Sequence, residues 1–381
     1  MKICIVSDLY YPYPGGVSEH VHHSACELVK LGHNVSILTT NYDWLDSSFT
    51  ENYDGESINI IRIGKAQRFY INKSVGIIPM ALDLEKQVRS VIQDNNFDVL
   101  HIHSPNSFIG MLAIKHSRAI NIATFHSASP KLNWHKYAII PVYPFIRKLD
   151  GVIAVSTVAL KTMKQSLPPK IVASIPPTVI IPNGVDTTKF SATVKPMSEF
   201  NKDKFFNILF VGRFEPRKGL DYLISAFQIV RKEIKSARLI VVGKGWLNDS
   251  IIKNNMEGIT FVGFVEPALL PRYYASCNIF CSPATDRESF GIVLLEGMAA
   301  GACVIASNID GYSQVVKDGE DGLLFEPKNP VAIADTIIKL YKEPELYNRL
   351  VAKGQQTALK YSWDKVTKEI EKFYYYVKEN K

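Results

Sequence analysis

The chain has 381 residues, 46% of them apolar and 21% charged, and a net charge of +7. That length supports two domains, and the apolar share supplies ordinary cores, which excludes a disordered or low-complexity chain. No segment carries the roughly 18 uninterrupted apolar residues of a membrane span, and the apolar run at Ile3–Val6 is too short for a signal-peptide core, so a cytoplasmic protein is expected.

The pattern then alternates strand and helix, twice over. Ile3–Val6 reads as a buried strand, Val17–Leu31 as a helix and Asn34–Thr39 as a strand. Val99–His101, Ile122–Phe125 and Val152–Val155 are short apolar runs ending in polar residues. Pro176-Pro177, Pro182-Asn183-Gly184 and the polar stretch Ser191–Lys204 mark a boundary. Beyond it, Ile208–Val211, Leu239–Val242 and Thr260–Val262 each end at a glycine, and Ile279–Cys281 ends at Ser282-Pro283. Helices are expected at Leu220–Glu233, Leu269–Ala275 and Pro330–Tyr341, and an amphipathic one at Trp363–Val377. Two such sets predict an α/β protein with two open parallel sheets, helices on both faces, and ligands beyond the carboxyl ends of the strands.

The residues at those ends carry the chemistry. Gly15-Gly16, between the first strand and its helix, allows either a tight turn or close backbone approach to a phosphate or sugar. It is not the G-x-G-x-x-G dinucleotide fingerprint, and Gly243-Lys244-Gly245 fails that pattern too. Arg213, Arg217 and Lys218 lie on one strand-to-helix loop, where cations would stabilise a departing pyrophosphate. Glu288 and Glu296 flank Ser289-Phe290-Gly291 and an apolar run. A helix opening near Gly291 would offer free amides to an anion, with Glu288 before it and Glu296 within it.

His126 stands just past a strand end, placed to touch a substrate. His101 and His103 end the preceding strand, with their imidazoles expected on opposite faces. His20, His22 and His23 share a helix, but none of their spacings is the i, i+4 pair of a metal site. The five cysteines lie mostly in apolar stretches and fit a reducing compartment; Cys277 and Cys281 lack the second pair of a zinc site. No G-x-S-x-G elbow or P-loop is present.

Together these residues resemble the retaining glycosyltransferases of family 4, over nearly the whole chain. The carriers are Gly15-Gly16-Val17, Asp98–His103, Thr124-Phe125-His126, Ile153–Ser156, Ile181–Asp186, Gly212-Arg213 with Arg217-Lys218-Gly219, and Glu288 to Glu296, which matches the family's E-x7-E signature. Pro14–Val17, His101–Asn106, Ala123–Ser127, Glu215–Gly219 and Met298–Gly301 read much like the phosphatidylinositol mannosyltransferases within that family, although the loop Arg213–Arg217 is one residue shorter.

The resemblance implies the GT-B fold, with two Rossmann-like domains facing each other across a donor/acceptor cleft. An acceptor-binding domain would span 1–181, with 363–381 packing back on it, and a nucleotide-sugar-binding domain would span 182–362. It implies catalytic roles for His126, Arg213, Lys218 and Glu288, and donor binding by Gly15, Gly16, Ser289, Phe290, Gly291, Ile292, Val293 and Glu296. Glu296 would hold the ribose diol, Glu288 the hexose, and Arg213 with Lys218 the pyrophosphate. Hexose transfer would proceed with retention and without a metal, from GDP-mannose ahead of UDP-glucose or UDP-N-acetylglucosamine.

From Ile60 to Lys148, 12 Lys and Arg stand against 4 Asp and Glu. Lys65, Arg68 and Lys73 are expected in one loop or helix edge; Lys131, Lys136, Arg147 and Lys148 surround the apolar run Ala138–Ile146, interleaved with Trp134 and Tyr137. With Arg217 they are assigned to the acceptor or the membrane. The expected partner is an anionic lipid, such as an inositol phospholipid, on the inner face of the plasma membrane. Alternatives are a soluble or polysaccharide acceptor, a nucleotide-sugar epimerase, a phosphorylase or a non-catalytic relative. A nucleic-acid binder would need aromatic stacking platforms that the sequence does not show.

Overall fold

The computed structural model describes residues 1–13, 15–42, 48–53, 56–71, 74–103, 107–126, 143–245 and 257–381, with backbone alone at 48–53, 56, 68–71, 74–78 and 143–144. The chain divides into two compact units, Met1–Asn183 with Trp363–Lys381, and Gly184–Ser362.

The N-terminal unit is built on eight strands: β1 (Lys2–Ser7), β2 (Asn34–Thr40), β3 (Ser48–Tyr53), β4 (Glu56–Ile63), β7 (Val99–His103), β8 (Ile120–Phe125), β9 (Gly151–Ala154) and β10 (Thr178–Ile180). Their order is β10-β9-β8-β7-β1-β2-β4-β3, parallel except for β3 against β4. A separate antiparallel hairpin joins β5 (Lys65–Ile71) to β6 (Ser74–Met80). Ile3, Cys4, Ile5 and Val6 are fully buried, because helices cover both faces of the sheet. One face packs on α1 (Gly16–Lys30) and on the last helix, α10 (Trp363–Glu379), through Trp363, Ile370, Phe373 and Tyr374. Gly151 admits this close approach: a Cβ there would stand 2.9 Å from both Phe373 and Val377. The other face packs on α2 (Leu84–Asn95), α3 (Phe108–His116) and α4 (Thr157–Ser166), through residues such as Val88, Ile109 and Met163.

The C-terminal unit has one six-stranded parallel sheet: β11 (Phe206–Val211), β12 (Ala237–Val242), β13 (Ile259–Gly263), β14 (Ile279–Ser282), β15 (Cys303–Ser307) and β16 (Leu323–Phe325), in the order β13-β12-β11-β14-β15-β16. Its helices are α5 (Leu220–Glu233), α6 (Leu270–Ala275), α7 (Ile292–Ala299), α8 (Pro330–Lys342) and α9 (Pro344–Ala358). Val and Ile dominate these strands, as both-face burial demands. In each sheet the parallel strands run outward in opposite directions from one point, between β1 and β7 and between β11 and β14. Those are the switch points at whose carboxyl ends open α/β sheets bind ligands.

The expected strands and helices are found, most of them a residue or two longer. The hairpin, β3, β4, β10, β15, β16, α2, α3, α4 and α9 lie outside those expectations. Lys65 and Arg68 therefore lie on β5 rather than in a loop or helix edge; the run Gln67–Ile71 is rich in aromatic and β-branched residues and pairs with β6. Lys73, Lys131 and Lys136 fall outside the described residues.

Candidate active site

In the C-terminal unit two loops leave adjacent strands at the switch point. The first, after β11, runs through Arg213 to Gly219; the second, after β14, runs through Pro283 to Gly291. They are stitched together by backbone. The Thr285 amide donates to the Arg217 carbonyl at 2.8 Å, and Gly219 sits against Pro283. Gly219 has φ +69, and a Cβ on it would stand 2.0 Å from the Pro283 carbonyl oxygen. Glycine is thus required there both by backbone sign and by space.

This stitching brings the charged side chains into one cluster. Lys218 Nζ lies 2.7 Å from Glu288 Oε1, and Arg217 Nη1 lies 2.5 Å from the same oxygen. Glu215 bridges the other cations: its Oε1 is 2.9 Å from Arg213 Nη1, and its Oε2 is 2.7 Å from Arg217 Nε. Burial works against the Arg217 charge, but Glu288 and Glu215 together hold its pKa above the ordinary value. Arg213 is exposed, whereas Lys218, Arg217 and Glu288 are half-buried. Sequence reasoning missed Glu215, although its place between two arginines at spacing two was visible.

Gly291 opens α7 with φ +94 and no side-chain cap; a Cβ there would stand 2.7 Å from the Tyr312 ring. Ser289, Ile292 and Val293 line this turn and stay half-buried. The Phe290 ring is buried and packs against Tyr361 with centroids 5.8 Å apart. Glu296 lies on α7, where the buried Tyr274 hydroxyl donates to its Oε2 at 2.7 Å. Burial, with Glu296 adding to it, pushes the Tyr274 pKa up, so the phenol keeps its proton and orients the carboxylate.

In the N-terminal unit, α1 starts at Gly16 with Gly15 as its cap. No described residue lies within 4 Å of a Cβ built on Gly15, so none of them demands glycine there. His126, half-buried past the end of β8, places Nε2 3.0 Å from His103 Nδ1. The opposite-face expectation for His101 and His103 is wrong. Strands alternate with period two, so residues two apart share a face, and the rings stand 4.4 Å apart. His20, from α1, joins them at 5.1 Å from His103 and 4.9 Å from His126. Among the described residues no group of three His, Cys, Asp or Glu side chains is arranged to hold a metal. The five cysteines are buried and form no disulfide. Arg147 and Lys148 are exposed, the latter with Nζ 3.3 Å from the Lys115 carbonyl. No described helix is long and apolar enough to cross a membrane.

Two family models match the chain: "Glycosyltransferase Family 4" over residues 14–189 and "Glycosyl transferases group 1" over residues 193–357. The phosphatidyl-myo-inositol mannosyltransferase of Mycobacterium leprae is 30% identical over 380 residues, covering 98% of this chain and 96% of its own length. That of Mycobacterium tuberculosis is 31% identical over 388 residues, with the same coverage of both chains. Among solved structures, a glycosyltransferase from Rickettsia africae superposes with a TM-score of 0.74 at 21% identity, and sucrose-phosphate synthase from Thermosynechococcus elongatus with 0.73 at 19%. Each comparison covers the whole of both chains.

Proposed function

The chain belongs to the family 4 glycosyltransferases, with the GT-B fold, and from that premise we propose that it moves mannose from GDP-mannose to a hydroxyl of an anionic membrane lipid, an inositol phospholipid in the first instance. The observation that carries the reading is the cluster of Arg213, Arg217, Lys218 and Glu288 at the β11/β14 switch point, beside the uncapped start of α7. The likeness to phosphatidyl-myo-inositol mannosyltransferases supports the choice of sugar and acceptor.

In this reading Glu296 grips the ribose diol and Glu288 the hexose, while Ser289 and the backbone from Phe290 to Val293 line the donor. Arg213, Lys218 and the α7 amides receive the diphosphate. Gly15 and Gly16 approach the diphosphate and His126 contacts the sugar. The anomeric carbon loses its bond to the diphosphate oxygen and gains one to the acceptor oxygen on the same face. The acceptor proton passes to the departing diphosphate. Two basic side chains and a helix terminus supply the charge that a metal would otherwise bring, so the reaction proceeds without one. Lys65, Arg68, Lys73, Lys131, Lys136, Arg147 and Lys148 are assigned to the lipid and Arg217 to the acceptor, and the enzyme sits peripherally on the inner face of the plasma membrane.

The test is a thermal-shift screen against GDP, UDP, ADP and their sugars, followed by transfer to inositol phospholipid vesicles. Ligands that bind the native state raise its melting temperature by mass action. A rise with GDP and GDP-mannose, then transfer to lipid, is expected. A rise with UDP sugars alone would replace mannose by glucose or N-acetylglucosamine, and no rise with any nucleotide would sink the catalytic reading.

A further inference from the structure

Four imidazoles crowd the carboxyl ends of β7 and β8, and the proposed reaction gives a role to one of them. His20, His101 and His103 are buried, and His126 is half-buried above them. Among the described residues, the groups facing them are His23 on α1, Thr124 on β8, Trp363 and Tyr374 on α10, and Asn183. None is a carboxylate or a permanent cation. Burial first and the neighbouring imidazoles second lower the pKa of all four rings, together bringing His20 to about 4 and His101 to about 3. Four neutral rings share this space, each with one N–H.

Their protons can be traced. His20 Nδ1 stands 2.8 Å from Asn183 Oδ1, an acceptor, so His20 carries its proton on Nδ1 and leaves Nε2 a bare lone pair. His101 is satisfied on both sides by hydroxyls, Tyr374 on Nδ1 and Thr124 on Nε2, each at 2.6 Å. The contact between His103 Nδ1 and His126 Nε2 needs one proton, and it can belong to either ring. His103 Nε2 is buried and has no hydrogen-bond partner among the described residues. If His126 donated, that nitrogen would be an N–H buried without an acceptor, which is the costlier orphan. If His103 donates, it is a bare lone pair.

We propose that His103 donates its Nδ1 proton to His126 Nε2 and so fixes His126 as the Nδ1–H tautomer, a neutral hydrogen-bond donor toward an oxygen of the bound sugar. His103 is then a positioning residue: it touches no substrate but decides which nitrogen of His126 offers a proton. The ligand class this selects is a hydroxyl or ring oxygen rather than a proton to be abstracted. The role of the tautomer in sugar binding rests on the glycosyltransferase reading; the tautomer itself does not.

The experiment reads the imidazole nitrogen resonances of the full chain, carrying isotope-labelled histidine, above pH 7. The His126 signals are assigned by their loss in His126→Ala. A proton on His126 Nδ1 in the wild-type chain is expected, and a proton on Nε2 overturns the proposal. Two variants sharpen it. In His103→Asn the amide nitrogen stands as many bonds from Cα as Nδ1 does, so it keeps the donor. In His103→Asp an acceptor replaces the donor. His103→Asn should hold the wild-type tautomer and donor KM. His103→Asp should move a proton to His126 Nε2 and raise the donor KM about fivefold, the worth of one neutral hydrogen bond. An unchanged tautomer in His103→Asp would also overturn the proposal. If no nucleotide-sugar binds the wild-type chain, the glycosyltransferase reading has failed, whichever nitrogen carries the proton.

Discussion

Lys218 and Glu288 hold each other at 2.7 Å, across two loops that leave neighbouring strands. A cation assigned to the diphosphate and a carboxylate assigned to the sugar thus form one ion pair. Glu288→Ala would free Lys218 and take from Arg217 one of its two carboxylates. Both Glu288→Ala and Lys218→Ala should lower transfer about a hundredfold to a thousandfold, the usual cost of losing a group aimed at developing charge. The melting temperature should move by no more than a few degrees. Full transfer activity in either variant would remove these residues from the site.

The glycines separate fold from function. Gly219→Ala puts a methyl 2.0 Å from a carbonyl oxygen at a positive φ, and left-handed strain alone costs about 1–2 kcal/mol. A melting temperature lower by about 4 °C or more is expected. Gly15 has extended backbone at φ 164 and open space around its Cβ position. Gly15→Ala should leave the melting temperature unchanged and weaken donor binding. Unchanged affinity there would mean that no ligand approaches this turn.

Acid should destabilise the N-terminal unit through its histidines. In the unfolded chain they titrate near 6.5, about where isolated imidazoles do. In the folded chain burial holds His20 near 4, and His101, His103 and His126 are lowered as well. Between those limits the unfolded state binds more protons, so stability is full above about pH 6.5 and is lost as pH falls toward 4. The slope is about 1.4 kcal/mol per pH unit for each ring. Asp8 opposes this. Burial pushes its carboxyl up to about 6, against hydrogen bonds from Ser107, Phe108 and Ile109. One carboxyl cannot offset four imidazoles. Denaturant titrations at pH 7.5 and 5 would measure the net effect, and a flat profile would contradict the neutral cluster.

Replacing Arg147 and Lys148 with alanine, together with Lys131 and Lys136, should weaken sedimentation with anionic vesicles, since each charge at a membrane surface is worth about 1 kcal/mol. Donor-induced thermal shifts should persist. Vesicle binding equal to wild type would dismiss the lipid-facing assignment.

EDTA should leave transfer unaffected if two basic side chains and the α7 amides carry the charge. Activity abolished by chelation and restored by Mg²⁺ or Mn²⁺ would demand a different mechanism.

The strands and glycines were readable because both-face burial writes continuous apolar runs that stop abruptly at turns. Ile208–Val211 followed by Gly212 is one such signal, and the helix opening near Gly291 another. The hairpin of β5 and β6 was not readable in this way. Lys65 and Arg68 interrupt it, and basic residues were taken as loop. The histidine cluster was missed for two reasons. Residues two apart on a strand share a face, which puts His103 beside His101, and the cluster's partners Asn183, Trp363 and Tyr374 come from distant sequence that no local pattern connects. Glu215 was hidden because an acid between two arginines reads as ordinary surface charge until the fold shows it holding both.

The helix Trp363–Glu379 supplies Tyr374 to His101 and Trp363 to His20, yet it is synthesised after the whole of Gly184–Ser362. The first unit therefore lacks part of its own core until that helix has emerged, whereas Gly184–Ser362 emerges as one uninterrupted stretch. The unit encoded second has the opportunity to fold first. During translation β1, β7 and β8 would stand with Ile3, Ile5 and Ile122 uncovered on the α10 side, an interval in which a nascent chain depends on chaperones or on quick elongation.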